Sequence, residues 1–197
     1  MNKVRDNILL FFLFSYAVYC ALIVGQAWDE PSHFAQGKIT LEYLLSLGRI
    51  DNDIIYRENY SSIYWTLQFF LTKIFPAKYQ IEGYHLINLI FTFGIIFGIG
   101  KLSQILFNKT VGKITFLILF FYPIFFGHLA FNNKDLILAF SHVWISYLIF
   151  KYLKNHNNKK KTNQYVILIG VLSALGMGIQ LVFLGSLFPI FLFIICE

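Results

Sequence analysis

The sequence predicts an all-α polytopic membrane protein with about five to six transmembrane helices and interfacial helices in its first extracytoplasmic loop. The 197 residues are 57% hydrophobic and only 13% charged, which is too little polar surface to cover a soluble core. The apolar residues also form blocks rather than the alternating pattern of β-barrel strands. Because backbone groups in lipid must be satisfied within each segment, these blocks should be helices.

Five apolar blocks account for this prediction: Ile8–Ala27, Tyr84–Leu106, Ile114–Phe131, Leu136–Leu153 and Tyr165–Cys196. The first is about long enough to cross a hydrocarbon core, which takes roughly 20 residues. The last would be roughly 48 Å long as one straight helix. Since this exceeds a core of about 30 Å, it forms either one tilted helix or two shorter ones, with a break expected at Gly176 or Gly178.

The basic residues indicate how the chain is oriented. Lys3 and Arg5 precede the first block, which resembles a signal peptide but is longer than usual and lacks a small-residue cleavage site, so we interpret it as a retained anchor. Further lysines follow the second and fourth blocks, around Lys109 and Lys159. The positive-inside rule then places the N-terminus in the cytoplasm. The net charge of +6 therefore reflects topology and does not indicate nucleic-acid binding.

The loop 28–83 should lie on the extracytoplasmic side, and it holds seven of the ten acidic residues. Pro31 suits a first helical turn, and Gly48 is a plausible helix stop. Between them, apolar residues share one face, as in an interfacial helix: Phe34, Leu41, Leu44 and Leu45. The aromatic segment Ser61–Phe75 is a second candidate for such a helix.

Asp29 and Glu30 stand directly after the first apolar block. Carboxylates at the mouth of a membrane helix are unfavourable unless they cap a helix, are solvated or take part in the protein's function. They could cap a helix N-terminus, or one could act as the base that deprotonates an acceptor hydroxyl; both interpretations can hold together. His33 shares their helical face and could be a solvated or carboxylate-paired histidine, a phosphate contact, a proton carrier or a metal ligand. Three such residues are too few to assign a metal site.

A second polar group, Asn132–Asp135, joins the third and fourth blocks on the same expected side. Asn and Asp are ordinary turn residues. A basic side chain this close to lipid could instead hold a phosphate, which makes Lys134 a candidate binding residue. Asp135 could assist Asp29, and a divalent ion shared by these two carboxylates is an open alternative. No other cofactor is indicated.

These pieces, in this order, resemble the GT-C glycosyltransferases, closest to the group of protein O-mannosyltransferases and lipid A aminoarabinose transferases. The matching pieces are Trp28–His33, Tyr60–Trp65 and Asn133–Leu136. The family's proline pair before the Tyr-Trp stretch is replaced by Ser61-Ser62 here. Family members are also much longer. Residues 1–197 are therefore expected to be a single but incomplete GT-C-like transmembrane domain, its N-terminal part, in a bacterial inner membrane.

The resemblance implies a hexosyltransferase that moves a sugar from a polyprenyl-phosphate donor to an acceptor at the extracytoplasmic face. Asp29 would be the base with Glu30 supporting it. His33, Arg57, Lys134 and Asp135 would contact the substrates, and the lipid-linked donor and membrane lipids would be the partners. The alternative is a non-catalytic subunit or truncated scaffold, with the carboxylates as caps only and a partner subunit completing the fold. A transporter fragment is disfavoured because the central blocks carry few charges.

Overall fold

The computed structural model describes residues 3–49, 62–155 and 157–196, and its regular elements are all helical, which confirms the all-α prediction. A 3₁₀ turn at Ala77–Tyr79 leads into the fourth helix. The α-helices of the described residues are α1 (Lys3–Ile23), α2 (Glu30–Leu45), α3 (Ile63–Thr72), α4 (Gln80–Leu106), α5 (Lys109–Phe121), α6 (Pro123–Gly127), α7 (Asn133–Lys154), α8 (Lys159–Met177) and α9 (Phe183–Cys196).

Within the described residues, three helical segments are long and apolar enough to cross a membrane: Val4–Ile23, Ala77–Leu106 and Asn133–Lys154. They correspond to α1, to α4 with its preceding turn, and to α7. A shorter apolar helix covers Phe183–Leu192. These segments agree with the predicted integral membrane protein, while the total of five to six spans stays a prediction.

Two of the predicted apolar blocks are divided in the structure. In Ile114–Phe131 the helix stops before Pro123, because proline lacks an N–H and forces the preceding Tyr122 into an extended conformation (ψ 114°). In the last block, α8 ends at Met177 and Gly178 caps it by donating its N–H to the carbonyl of Ala174 at 2.8 Å. The break predicted at Gly176 or Gly178 is therefore confirmed.

The helix predicted after Pro31 is α2, and it ends where the sequence indicates. Leu47 and Gly48 have positive φ values of 55° and 76°. The N–H of Gly48 donates to the carbonyl of Tyr43 at 3.0 Å, which closes the helix in the manner of a glycine C-cap. The second expected helix is α3, which is shorter than Ser61–Phe75. Helix α2 packs on α3, and α3 in turn packs on α4 and α7.

Helix α4 lies at the centre of the packing and contacts α1, α3, α5 and α7. The main core forms where α1, α4 and α5 meet and extends to the residues before α7: Leu13, Ala17, Ala21, Leu89, Phe93, Ile96, Phe116, Phe120, Leu129 and Ala130. A second core beneath α3 consists of Tyr64, Trp65, Ile137 and Ile179. This second core holds α3 against α7, and α2 is attached to the long helices through its packing on α3.

Replacing Gly37 with alanine is expected to destabilise the protein by about 1–3 kcal/mol. A Cβ atom on Gly37 would lie 2.3 Å from the carbonyl oxygen of Trp65 in α3, and a backbone carbonyl cannot move aside. The measurement is the unfolding midpoint in detergent. Gly170→Ala is the control, because no atom lies within 4 Å of its added Cβ. Equal midpoints for the two variants would contradict close α2–α3 packing.

Candidate active site

Asp29 occupies the N-cap position of α2, but its side chain does not cap the helix. Its backbone carbonyl accepts the first helical hydrogen bond from the N–H of His33 at 3.1 Å. The carboxylate makes no cap hydrogen bond, and 57% of the side chain is exposed. The capping interpretation is therefore wrong for the Asp29 side chain. A carboxylate in this position can meet a substrate without first breaking a structural contact.

Glu30, the next residue, is only 2% exposed and is bound on two sides. The N–H of Ala27 donates to its Oε2 at 2.8 Å. The Nε2 of His85 in α4 lies 2.9 Å from Oε1 and 3.1 Å from Oε2, with hydrogen-bond geometry toward Oε2. This buried pair attaches the start of α2 to the central helix.

His85 also contacts the end of α1, because its Nδ1 lies 3.1 Å from the carbonyl oxygen of Ala21. Both ring nitrogens thus face oxygen atoms. A neutral imidazole has one N–H, so satisfying both contacts takes a second proton, either on the ring or shared with Glu30. The pair therefore joins α1, α2 and α4 at one point.

His33 is buried between α2, α3 and the start of α7. Its ring stacks on Trp65 at a centroid distance of 4.2 Å and an angle of 17°. Its Nδ1 lies 3.1 Å from the Nδ2 of Asn133, which donates to it. The same Nδ1 is 3.9 Å from the Asp29 carboxylate, which is too long for a hydrogen bond. An acceptor role for Nδ1 puts the proton of a neutral ring on Nε2.

Asn133 belongs to a buried set of hydrogen bonds that we call the Asn88 network, formed by Tyr64, Gln68, Tyr84, Asn88 and Asn133. Asn88 donates to the side-chain oxygen of Asn133 and to the carbonyl of Ala130 (2.7 Å). It accepts from the Tyr64 hydroxyl (2.6 Å) and from Gln68 (2.9 Å). Asn133 in turn donates to the Tyr84 hydroxyl at 2.8 Å.

The Asn88 network is rigid because both polar atoms of the Asn88 side chain make all the hydrogen bonds that they can. Its amide makes four hydrogen bonds, the most that the group can make in this geometry. Burial raises the pKa of Tyr64 well above its ordinary value, so that its hydroxyl remains a donor. Buried hydrogen bonds of this kind fix the relative positions of the elements that they join. Here they fix α3, α4 and the start of α7.

The contact between His33 and Asn133 brings the first turn of α7 to the first turn of α2. Lys134 and Asp135 follow directly in α7; Lys134 is half-buried and Asp135 is exposed. The two polar groups that the sequence singled out are thus neighbours in the fold. In the part of the chain that the structure describes, no three His, Cys, Asp or Glu side chains form a metal-binding group. Arg57 lies outside the described residues.

Sequence reasoning missed the residues that hold this site together, above all His85 and Asn88. The sequence did carry a signal for them. His85, Asn88 and Thr92 recur at intervals of three and four residues in an otherwise apolar helix, so they share one face. Polar groups on one face of a membrane helix are expected to meet partners in the protein interior. Thr92 does so, by donating to the carbonyl of Leu129 at 2.9 Å.

Comparison with known proteins identifies the family. The model of the dolichyl-phosphate-mannose-protein mannosyltransferase family matches residues 62–197, more than two-thirds of the chain. The match contains His85, Asn88 and the first turn of α7, and it begins after α2. No curated protein and no solved structure matches the chain. The chain therefore belongs to the dolichyl-phosphate-mannose-protein mannosyltransferase family, a family of membrane glycosyltransferases of the GT-C type.

Proposed function

We propose that this chain transfers a sugar from a polyprenyl-phosphate-linked donor to an acceptor hydroxyl at the face of the membrane where α2 begins. The observation that carries the proposal is the Asp29 carboxylate, 57% exposed and held at the start of a helix whose next side chain is buried and paired. The donor class is supported by the family description, which names a lipid-phosphate-linked mannose. By the positive-inside rule, this face is extracytoplasmic.

In the proposed reaction, Asp29 accepts the proton of the acceptor hydroxyl as that oxygen attacks the anomeric carbon of the sugar. The bond between the anomeric carbon and the phosphate oxygen breaks, and its electron pair leaves with the polyprenyl phosphate. Asp29 then returns its proton to water. The exposure of Asp29 suits both steps, because acceptor and water must reach the same carboxylate.

The remaining residues have supporting roles in this proposal. Glu30 is buried and paired with His85, so we assign it to positioning Asp29. The donor phosphate is negative before the reaction and gains further charge as it departs, and a basic side chain stabilises it in both states. Lys134, in the first turn of α7, is our first candidate for that contact, with His33 and Arg57 as further contacts.

Asp135 is assigned to substrate binding because it is exposed one residue after Lys134, at the N-terminus of α7. In the alternative role, the Asp135 carboxylate binds a divalent cation together with Asp29. The residues that the structure describes supply no third His, Cys, Asp or Glu side chain to such a pair. Such an ion would take its other ligands from water and from the phosphate of the donor.

Lys134→Gln is expected to raise the KM for the lipid-linked donor about tenfold, with a smaller change in kcat. A charge-assisted hydrogen bond contributes about 1.5–3 kcal/mol, and Lys134 would bind the phosphate already in the ground state. The measurement is turnover of labelled polyprenyl-phosphate mannose by membranes that contain the full gene product.

Lys38→Gln is the control for that experiment, since Lys38 is an exposed lysine of α2 that pairs with Glu42 at 4.0 Å. It removes the same charge without touching α7. An unchanged donor KM in Lys134→Gln would show that Lys134 does not bind the donor phosphate. Absence of turnover by the wild-type protein with any lipid-linked sugar would favour the non-catalytic subunit instead.

A further inference from the structure

A cavity of about 640 Å³ lies between α1, α4 and α5, and the proposed transfer reaction does not use it. Its inner wall is apolar, with Leu9, Leu10 and Leu13 from α1, Phe97 from α4, and Phe116 and Leu117 from α5. Its rim is polar and lies where α1 begins, α4 ends and α5 begins. The volume is in the range of ligand-binding pockets, about 300–1,000 Å³.

The cavity exists because α1 and α5 both pack on α4 while, in the described residues, their backbones do not pack on each other. Gly100 and Gly112 let α4 and α5 approach closely; a Cβ on Gly112 would lie 2.6 Å from the carbonyl oxygen of Gly100. Deeper in the fold, aromatic side chains of α5 such as Phe116 fill the space between α1 and α5. Near the rim, the ion pair between Asp6 and Lys113 bridges it.

The charge at the rim is strongly positive. Four basic residues line the cavity: Arg5, Lys101, Lys109 and Lys113. Among the described residues that line it, Asp6 is the one carboxylate, and it pairs with Lys113. Asp6 also interacts electrostatically with Arg5, so one negative charge faces four positive ones and the described cavity wall keeps an excess of three positive charges. The N-terminus of α5, which begins at Lys109, adds the positive end of a helix dipole.

The cavity is at the opposite end of the helices from the candidate active site. Lys101 follows His85 by 16 residues along the continuous helix α4, a separation of about 24 Å at 1.5 Å per residue. This is close to the thickness of a hydrocarbon core, about 30 Å. The rim therefore reaches the other leaflet, away from Asp29.

We propose that this cavity binds one anionic phospholipid of the leaflet that adjoins the start of α1. An acyl chain would occupy the apolar wall, and the phosphate headgroup would contact Arg5, Lys101 and Lys109. An apolar cavity inside a membrane is filled by hydrocarbon, which favours a lipid over free phosphate. A basic rim between membrane helices favours an anionic headgroup over a zwitterionic one.

The test is native mass spectrometry of the full protein in detergent, with equal amounts of phosphatidylglycerol and phosphatidylcholine. Wild-type protein should retain phosphatidylglycerol in preference to phosphatidylcholine. Lys101→Gln/Lys109→Gln should weaken phosphatidylglycerol binding about 25-fold, roughly fivefold for each lysine. Lys159→Gln/Lys160→Gln removes the same charge from the exposed start of α8 and should leave binding unchanged.

A third variant tests the apolar wall. Leu9→Trp adds bulk to the cavity without changing its charge, and it should weaken retention of phosphatidylglycerol while the rim stays intact. If the two double variants lost phosphatidylglycerol binding to the same extent, general surface charge would account for the binding, and the proposal would be overturned. Equal retention of both lipids by the wild type, or displacement of phosphatidylglycerol by inorganic phosphate alone, would also overturn it.

Discussion

Asp29→Asn is expected to lower the rate of sugar transfer about 10²–10⁴-fold, because general base catalysis contributes a factor of that size. Asparagine has nearly the same shape as aspartate but cannot accept a proton. The Asp29 side chain makes no cap hydrogen bond and is mostly exposed, so the substitution removes no structural contact of the helix start. The fall should therefore be in kcat, with the unfolding midpoint and membrane insertion unchanged.

Glu42→Gln is the matched control for this prediction. Glu42 is also an exposed carboxylate of α2, and it lies about three and a half turns further along the helix. It should leave turnover of the labelled lipid-linked sugar unchanged. Wild-type turnover in Asp29→Asn would show that Asp29 is not the base, and another polar group of the site would then have to accept the proton.

The course of the helices could largely be predicted from the sequence, because the signals that set it are local. Pro31 marks the first turn of α2, Gly48 ends it, and Gly178 ends α8. Each acts through its own backbone geometry, which does not depend on distant residues. The break at Pro123 carried a signal of the same kind, since the residue before a proline avoids the helical conformation.

The different roles of Asp29 and Glu30 could not be predicted in this way. They are adjacent in sequence, yet the side chain of Asp29 is 57% exposed and that of Glu30 is 2% exposed. What separates them is His85, which lies 55 residues after Glu30. Likewise, the partner of His33 in α7 lies 100 residues further along the chain. Long-range pairing decides which carboxylate is buried, and periodicity within one helix carries no information on it.

His85→Leu is expected to destabilise the protein by about 3–5 kcal/mol, because it leaves the buried carboxylate of Glu30 without its counter-charge. The measurement is the folded fraction by circular dichroism across a titration with denaturing detergent. His142→Leu is the control: His142 is half-buried in α7, and its ring lies 6.3 Å from that of Phe183. The same substitution at His142 leaves no buried charge without a partner, so it should destabilise the protein much less.

Adding Glu30→Gln to His85→Leu distinguishes the effect of the Glu30 charge from the effect of its place in the structure. Glu30→Gln/His85→Leu should be more stable than His85→Leu alone, since glutamine removes the stranded charge while its carbonyl can still accept from Ala27. If Glu30 only positions Asp29, turnover should recover in part with stability. If stability recovers and turnover does not, Glu30 takes part in the chemistry itself. A double variant no more stable than His85→Leu would contradict the buried ion pair.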